Sequence, residues 1–413
     1  MTENLLAPYR VLDLTDEKGF LCGKILGDLG ADVIKIEKPE GDPARRRGPY
    51  SMDIPDPEKS LYWFAFNTGK RSITLNTETI DGQELFRRLV KGADFVIESF
   101  VPGYLDRLGL GYSDLKKINR GIIMTSITPF GQSGPYKDYK ATDLTCLAMG
   151  GLLYIVGDED RPPVRISEEQ SYCHAGAQAV AGSLIAHCYR EKTGEGQHVD
   201  VSIQESVIWT LTYPLPYAYT SGIVFARAGN YQKRAGGIRH RRMYPCKDGF
   251  VCCMIGFGLV AGPMHARLVE VMHEEGLAGN LKEIDWQSLS IDSVSQEKIN
   301  EIEETVAEYF IRHTKAELHE LALKHDLMVV PVRDAKEILE YEQLTYRDYW
   351  VELNHPQLGV SITYPGCYFK SNRVSGSVHR RPPQIGEDNK EIYEKELGFT
   401  RSELRFLKER GVI

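Results

Sequence analysis

Strand-like and helix-like segments alternate through the first 130 residues, and this rhythm restricts the chain to a small set of folds. A buried strand at Arg10–Thr15 leads into a helix at Gly19–Gly30 and then into a second strand at Asp32–Lys38, which together form a βαβ unit. The alternation continues through strand Ser72–Leu75, helix Gly82–Lys91, and strands Asp94–Glu98 and Gly121–Thr128. The sequence therefore predicts an α/β fold, with a parallel sheet covered by helices on both faces.

Three glycines recur at every fourth position of the first predicted helix, at Gly19, Gly23 and Gly27. They line one helical face, which is typical of a helix that packs closely on a sheet. A dinucleotide-binding loop is the alternative, but the Gly-x-Gly-x-x-Gly fingerprint is missing and the turn carries Asp16 and Glu17. Because two acids would repel a pyrophosphate, we expect no nicotinamide cofactor.

The organisation changes twice along the rest of the chain. Beyond residue 141 the helices lengthen, and Ala175–His187 is predicted to be a buried helix of small residues. Near residue 223 the pattern changes again, and capping boxes predict helix starts at Thr314 and Thr400. We predict a large domain over residues 1–222, a smaller α+β domain over residues 223–331, and a return to the large domain over residues 332–413.

Charge and cysteine usage narrow the range of partners and cofactors. The chain has 50 lysines and arginines against 58 aspartates and glutamates, a net charge of −8, so a nucleic-acid partner is not expected. Eight scattered cysteines form no Cys-x-x-Cys pair, which argues against a zinc ribbon and fits a reducing compartment. With no signal-peptide pattern and no stretch near the ~20 apolar residues of a membrane span, we expect a cytoplasmic protein without a metal or a membrane partner.

A series of motifs runs in order along almost the entire chain. They are RVLDLT, GKILGDLGADVIKIEKPEGDPAR, FNTGKRSITLN, ADFVIESFVPGYLDRLGLGY, SITPFGQSGPYKDYKATD, REKTGEGQHVDVSIQES, HPQLGVSITYPG and LKERGVI. In this order they resemble the class III coenzyme A transferases, the formyl-CoA:oxalate and carnitine CoA-transferase family. The resemblance implies a large Rossmann-like domain built from both chain ends, a small domain between them, and two chains interlocked as a dimer.

The resemblance also implies which residues bind coenzyme A or acyl-CoA, the substrate of the family. CoA carries phosphates and an adenine, so its site needs cations, backbone donors and a flat apolar clamp. Carried over motif by motif, the CoA-binding positions are Glu17, Lys18, Lys38, Lys70, Arg71, Ser99, Phe100, Arg107, Leu108 and Lys140.

Two basic segments are further candidates. In the family, the region of Arg45–Arg47 borders the mouth of the CoA site, and a loop from the region of Arg234–Arg242 covers the reacting thioester, with Gly236 and Gly237 as its flexible part. The basic loop could bind CoA phosphates or a dicarboxylate. For both segments a solvated surface loop stays an open alternative.

The family reaction runs through one aspartate, which is replaced here. In the family its carboxylate attacks the acyl-CoA thioester, forms a mixed anhydride and then carries CoA as a thioester until an acceptor acid removes it. Counting back from Gly176 puts Tyr172 at this position. A tyrosine with its pKa near 10 is protonated at pH 7 and cannot replace a carboxylate unaided.

Three explanations for Tyr172 stay open. First, the chain is the non-catalytic subunit of a heterodimer or heterotetramer whose paralogous catalytic chain holds the aspartate. The stretches DIPDPEKSLYWFAFNTGKRSITL and ARRRGPY most resemble the nucleophile-lacking subunit of the two-subunit transferases that exchange CoA between succinate and benzylsuccinate, an aromatic-substituted succinate. Second, Glu168 or Glu169, a turn earlier, supplies the carboxylate. Third, the chain binds CoA or an acyl-CoA without transferring it, or it catalyses another reaction.

Overall fold

The computed structural model describes residues 5–233, 237–289, 294–372, 376 and 378–413. It divides into two compact units. The first contains the residues up to Leu153 together with Arg165–Ile223 and Glu342–Ile413, and the second contains Tyr154–Val164 and Val224–Tyr341. The sequence-based ranges left residues 154–164 in the large domain and ended the small domain at residue 331. The second unit includes both segments because Gly229 N donates to the Gly157 carbonyl at 2.8 Å and the Lys315 ammonium binds Glu337.

A parallel sheet organises the first unit, as predicted. Its strands lie in the order β3-β2-β1-β4-β5-β6. Their bounds are β1 (Arg10–Leu14), β2 (Asp32–Glu37), β3 (Lys70–Thr74), β4 (Phe95–Glu98), β5 (Ile123–Thr128) and β6 (His198–Ser202). Because the chain order reverses between β1 and β4, the loops after these strands meet at a switch point, the place where open α/β sheets bind ligands.

Helices cover both faces of the sheet. The helices in this part of the chain are α1 (Phe20–Asp28), α2 (Leu61–Asn67), α3 (Ile80–Val90), α4 (Tyr104–Arg107), α5 (Tyr112–Ile118), α6 (Asp143–Met149), α7 (Gln170–Thr193), α8 (Ile203–Ile208) and α9 (Pro214–Ser221). Alternate residues of each strand face opposite sides, so Leu12 joins the core under α3 and α5 while Val11 joins the core under α1 and α7.

Small residues allow α1 and α7 to pack closely. A Cβ atom on Gly23 would lie 2.3 Å from Asp13 Oδ2, and one on Gly176 would lie 2.9 Å from Leu21 Cβ. The glycines of the first helix therefore serve close packing, the first of the two interpretations above. Helix α7 is 24 residues long and begins at Gln170, so the predicted helix Ala175–His187 is only its middle. Its second turn, at Gly176, lies against the start of α1.

The second unit is built around an antiparallel sheet. Its elements are β7 (Tyr231–Lys233), β8 (Arg239–Arg241), β9 (Met243–Cys246), β10 (Gly249–Cys253), α10 (Gly258–Glu274), α11 (Gln296–Phe310), α12 (Lys315–His325), β11 (Val329–Pro331) and α13 (Ala335–Leu339). Strands pair in the order β11-β10-β9, and α10, α11 and α12 share one apolar core with them. The predicted capping box of Thr314 and Glu317 at the start of α12 is confirmed.

The last segment returns to the first unit through α14 (Glu342–Tyr346), β12 (Trp350–His355), β13 (Val360–Pro365), a π-helix (Lys390–Glu396) and α15 (Arg401–Glu409). The hairpin of β12 and β13 packs on α2 around the buried Trp63. The capping box of Thr400 and Glu403 is confirmed. Within the described ranges, no helix is long and apolar enough to cross a membrane.

Candidate active site

Several predicted CoA-binding residues lie at the carboxyl edge of the parallel sheet, where β1 and β4 end. Ser99, directly after β4, is buried; its hydroxyl donates to Asp16 Oδ1 at 2.7 Å and accepts from the Asp16 amide at 2.8 Å. Glu17 and Lys18 are half-buried in the turn after β1, and the Lys18 ammonium binds Asp16. These contacts join the two turns at the switch point of the sheet.

A second group lies beyond the ends of β2 and β4. Lys38 Nζ is 3.1 Å from Glu78 Oε1, and the same oxygen accepts from the Tyr104 hydroxyl at 3.1 Å. The rings of Tyr104 and Phe100 have centroids 4.6 Å apart, and the exposed Arg107 guanidinium lies 5.8 Å from the Tyr104 ring. The structure thus brings Lys38, Phe100 and Arg107 together around Tyr104. Cations beside a flat aromatic pair are what an adenine with phosphates needs.

Two other predicted residues lie beside or beyond this group. Leu108 is half-buried against the core under α3 and α5. Lys140 is exposed in the loop before α6.

Two predicted CoA ligands are held elsewhere. Lys70 is fully buried, and its ammonium donates to Asp13 Oδ2 at 2.9 Å, Asn67 Oδ1 at 2.9 Å and the Phe20 carbonyl at 3.1 Å. Because all three ammonium protons have protein acceptors, a phosphate could bind Lys70 only by replacing one of these partners. Arg71 lies toward the amino edge of β3, where it forms ion pairs with Asp32 and Glu396 at 2.6 Å. Neither side chain is exposed at the carboxyl edge.

The buried Lys70 belongs to a network that supports the turn after β1. Asp13 Oδ1 accepts from the Thr15 amide at 2.9 Å and from the Thr15 hydroxyl at 2.6 Å. The Lys35 ammonium donates to the Thr15 carbonyl. Burial alone would raise the pKa of Asp13, but Lys70 and Lys35 hold it below its usual range. The ionised Asp13 therefore fixes the backbone that leads into Asp16 and Glu17.

Tyr172 lies in the first turn of α7 and is only 8% exposed. The helix start is held by Asp143, whose Oδ1 accepts from the Ser171 amide at 3.0 Å and the Ser171 hydroxyl at 2.8 Å. Burial raises the pKa of Tyr172 well above its usual range, and the neighbouring Glu17 carboxylate raises it further. The phenol is therefore neutral at pH 7, and it is a poor nucleophile.

The two glutamates before α7 differ. Glu168 is exposed. Glu169 Oε1 accepts from Arg47 Nη2 at 2.6 Å, and its Oε2 accepts from the Tyr62 hydroxyl at 2.6 Å. The Arg47 guanidinium lies 3.9 Å from the centroid of the Tyr62 ring. Partial burial lowers the pKa of Arg47, but the hydrogen bond to Glu169 and the nearby negative groups together raise it above its usual value. We name Arg47, Tyr62 and Glu169 the Arg47 cluster.

The run of three arginines therefore divides among three environments. Arg45 is 1% exposed, and its Nε donates to Glu37 Oε2 at 2.7 Å. Arg46 is exposed, and Arg47 joins the cluster before α7. A short 3₁₀ turn over Pro43–Arg46 makes the three arginine side chains point in different directions. This turn was not apparent from the sequence.

Several partners of the predicted residues were not apparent from the sequence. These are Asp16, Tyr62, Glu78 and Tyr104. Tyr62 and Tyr104 lie inside the motifs quoted above. A tyrosine carries both an aromatic ring and a hydroxyl, and this was the feature in the sequence that could have identified them as site residues.

Part of the basic loop of the second unit can be described. Arg234 and Gly236 lie outside the described residues, and Gly237 has a φ of +84°. Arg239 Nη1 lies 3.5 Å from Glu159 Oε2, and the Arg241 amide donates to Glu303 Oε1 at 2.7 Å. At least these two positions have partners within their own unit.

The fold agrees with comparisons to known proteins. The model of the family described as CoA-transferase family III matches residues 6–389. The chain therefore belongs to CoA-transferase family III, as the motifs indicate.

Individual relatives match the chain over almost its full length. It is 35% identical to the succinyl-CoA:(R)-benzylsuccinate CoA-transferase subunit BbsE of Thauera aromatica, over 98% of this chain and 97% of the relative. It is 32% identical to a succinyl-CoA–D-citramalate CoA-transferase of Chloroflexus aurantiacus, over 99% and 98%. A solved CaiB/BaiF family protein from Brucella suis superposes with a TM-score of 0.81 at 27% identity, covering 96% of this chain and 100% of that one.

Proposed function

We propose that this chain is the subunit without the nucleophile in a class III transferase that moves CoA between succinyl-CoA and an aromatic-substituted succinate. A paralogous chain would supply the aspartate, and the two chains would interlock. The relative from Thauera aromatica, which is named as a subunit of such an enzyme, supports the choice of substrate and of a heteromer.

The observation that carries the proposal is Tyr172. By the count from Gly176 it takes the family aspartate position, and its phenol is buried and neutral. An unaided carboxyl or phenol group attacks a thioester in its ionised form, and carboxylates are ionised at neutral pH whereas tyrosine is not. The carboxylates next to it are poor substitutes, because Glu168 is exposed outside the helix start and Glu169 is already bound by Arg47 and Tyr62.

The carboxyl edge supports binding of CoA itself. Lys38 and Arg107 present exposed charges beside the rings of Phe100 and Tyr104. We propose that this group binds the adenine and phosphates of CoA, with Glu17, Lys18, Ser99, Leu108 and Lys140 completing the site. Lys70 and Arg71 are left out of the proposed set because both are committed to protein partners.

The test is a transfer assay on the chain purified alone and on the assembly purified from its source cells. The reaction is succinyl-CoA plus benzylsuccinate giving succinate plus benzylsuccinyl-CoA. We expect turnover by the assembly and none by the chain alone. Turnover by the chain alone would contradict the proposal and favour Glu168 or Glu169 as nucleophile. An inactive assembly that binds acyl-CoA would favour the binding-protein alternative.

A conservative substitution tests the role of the phenol directly. Tyr172→Phe keeps the ring in the core and removes the hydroxyl, so the assembly should keep its rate. A fall in kcat of more than about tenfold, equivalent to ~1.4 kcal/mol, would show that the hydroxyl takes part in the reaction. The thermal unfolding midpoint of the variant serves as the control for packing.

A further inference from the structure

We propose that Arg47 is the specificity-determining residue that binds the free carboxylate of a dicarboxylate ligand, and that Glu169 is the protein carboxylate which this ligand displaces. The free carboxylate is the one that is not joined to CoA, as in a succinyl thioester. The inference rests on the proposed function, because it assumes that CoA thioesters of dicarboxylic acids bind to this chain.

The Arg47 cluster already holds one carboxylate in a defined geometry. Guanidinium Nη2 donates to one oxygen of Glu169 at 2.6 Å, and the Tyr62 hydroxyl donates to the other at 2.6 Å. The Tyr62 ring packs against the guanidinium plane at 3.9 Å, which restricts the direction of its donors. An arginine fork with a second donor matches any carboxylate of this shape, including that of a ligand.

The cluster is accessible from solvent on the side of the arginine. The Arg47 side chain is 39% exposed, whereas Glu169 is 15% exposed. A ligand can therefore reach the guanidinium while Glu169 is still in place. Burial raises the pKa of Tyr62 far above its usual range, and Glu169 raises it further, so the hydroxyl keeps the proton that it donates.

An aromatic surface adjoins the same cation. Tyr62 and Phe66 lie one helical turn apart on α2, and their ring centroids are 5.2 Å apart. Phe66 is half-buried against the core around Trp63. A ligand with an aryl group beside its carboxylate would find both a cation and an aromatic contact here. This pairing favours an aryl-substituted dicarboxylate over a simple one.

Displacement of Glu169 predicts opposite effects for the two partners of the ion pair. Without Arg47 the ligand loses its cation, so the preference for a dicarboxylate thioester should disappear. Without the charge of Glu169 the internal competitor is gone, so the same preference should increase. If the pair served only to stabilise the start of α7, both substitutions would weaken the site in the same direction.

The experiment is calorimetric titration of the full chain with free CoA, butyryl-CoA and succinyl-CoA. Butyryl-CoA has the length of succinyl-CoA but ends in a methyl group. We expect succinyl-CoA to bind roughly 10- to 100-fold more tightly than butyryl-CoA, the usual range for a charge-assisted hydrogen bond. Arg47→Met should remove this preference, and Arg47→Lys, which keeps the charge without the fork, should keep part of it.

Arg120→Met is the matched control. Arg120 also forms an exposed ion pair with a glutamate, its Nη2 lying 2.5 Å from Glu195 Oε1, but it precedes β5 at the amino edge of the sheet. This variant should keep the full preference. Glu169→Gln should raise the preference for succinyl-CoA by a few-fold, about the effect of an exposed or half-exposed ion pair.

The outcomes separate the two levels of the argument. Failure of the wild-type chain to bind any CoA species would contradict the proposed function, and this inference with it. Binding of free CoA without a preference for succinyl-CoA would overturn this inference alone. So would an unchanged preference in Arg47→Met, or a lower preference in Glu169→Gln. If Arg47→Met does not fold, the Arg47→Lys and Glu169→Gln pair still decides between the outcomes.

Discussion

The motif lysines and arginines of the first unit lie in two regions, one buried and one exposed, although both kinds come from the same family motifs. Lys70 and Arg45 lie beneath the turns at the carboxyl edge and are 0% and 1% exposed. Lys38 and Arg107 lie on the edge itself and are exposed. All four belong to, or adjoin, motifs of the CoA-transferase family. The comparison shows that a cation inside a ligand-binding motif can serve the ligand or the backbone that presents it.

The buried charged residues support the turns at the carboxyl edge, where the exposed cations lie. Asp13 and Lys35 hold Thr15, and the turn that follows is joined to Ser99 through Asp16. Charges of this kind are tolerated in the interior only when each has a partner. The exposed cations are solvated and do not depend on such partners, so a phosphate can compete for them.

The largest expected effect comes from removing a buried cation. Lys70→Met leaves Asp13 as a charge without its closest partner in the interior, so we expect a loss of about 3–5 kcal/mol in the free energy of unfolding. Lys38→Met, the matched change on the edge, should alter stability by less than ~0.5 kcal/mol. Denaturant titration of both variants measures the difference. Equal losses would remove the contrast between the two regions.

A buried carboxylate just below the edge should make stability depend on pH. Burial raises the pKa of Glu98 from 4.5 to about 7, although Ser126 and the Phe100 amide donate to it. Between these values the folded state binds a proton that the unfolded state has released, so stability falls as pH rises from about 4.5 to about 7.

Glu98→Gln is the test of this dependence. The amide cannot ionise but keeps an acceptor for the Phe100 amide, which now lies 2.7 Å from Glu98 Oε2. We expect the variant to gain roughly 3 kcal/mol relative to wild type between pH 4.5 and pH 7.5. Parallel curves of unfolding free energy against pH for the two proteins would show that Glu98 ionises normally.

Removing an exposed cation should affect binding and leave stability unchanged. Arg107→Ala removes a charge-assisted contact to a CoA phosphate worth roughly 1.5–3 kcal/mol, which weakens affinity about 10- to 100-fold. Calorimetry with free CoA measures the change, and the denaturant midpoint checks the fold. An unchanged affinity would exclude Arg107 from the site.

The smallest expected effect is a gain in CoA affinity. Glu78 holds Lys38 at 3.1 Å on the exposed edge, and both side chains are about half exposed, at 52% and 53%. Glu78→Gln would release Lys38 for a phosphate and raise CoA affinity a few-fold at most, about the value of an exposed ion pair. Weaker CoA binding in this variant would indicate that Glu78 itself contacts the ligand.

The parallel sheet, the capping boxes and the family could be predicted from the sequence because each depends on local patterns. The strand of Asp32–Glu37 follows from its run of apolar residues, and Thr400 with Glu403 follows from spacing alone. The role of Lys70 could not be predicted. Whether its side chain faces α1 or the solvent depends on the register of β3, which long-range pairing with β2 decides.

The Arg47 cluster was hidden for the same reason. Arg47 and Tyr62 lie 122 and 107 residues from Glu169, their common partner, so their contact is a property of the fold. The sequence identified Glu169 only as a carboxylate near the missing nucleophile. It did not show that Arg47 and Tyr62 already hold both of its oxygens.

The central claim is that this chain does not carry the nucleophile, and covalent trapping tests it most directly. The assembly from source cells is incubated with succinyl-CoA and then with hydroxylamine, which converts a carboxylate activated as an anhydride or thioester into a hydroxamate. Mass spectrometry of the peptides then locates the label. The account predicts a label on an aspartate of the partner chain and an unmodified 165–174 segment in this chain. A hydroxamate at Glu168 or Glu169 would contradict it.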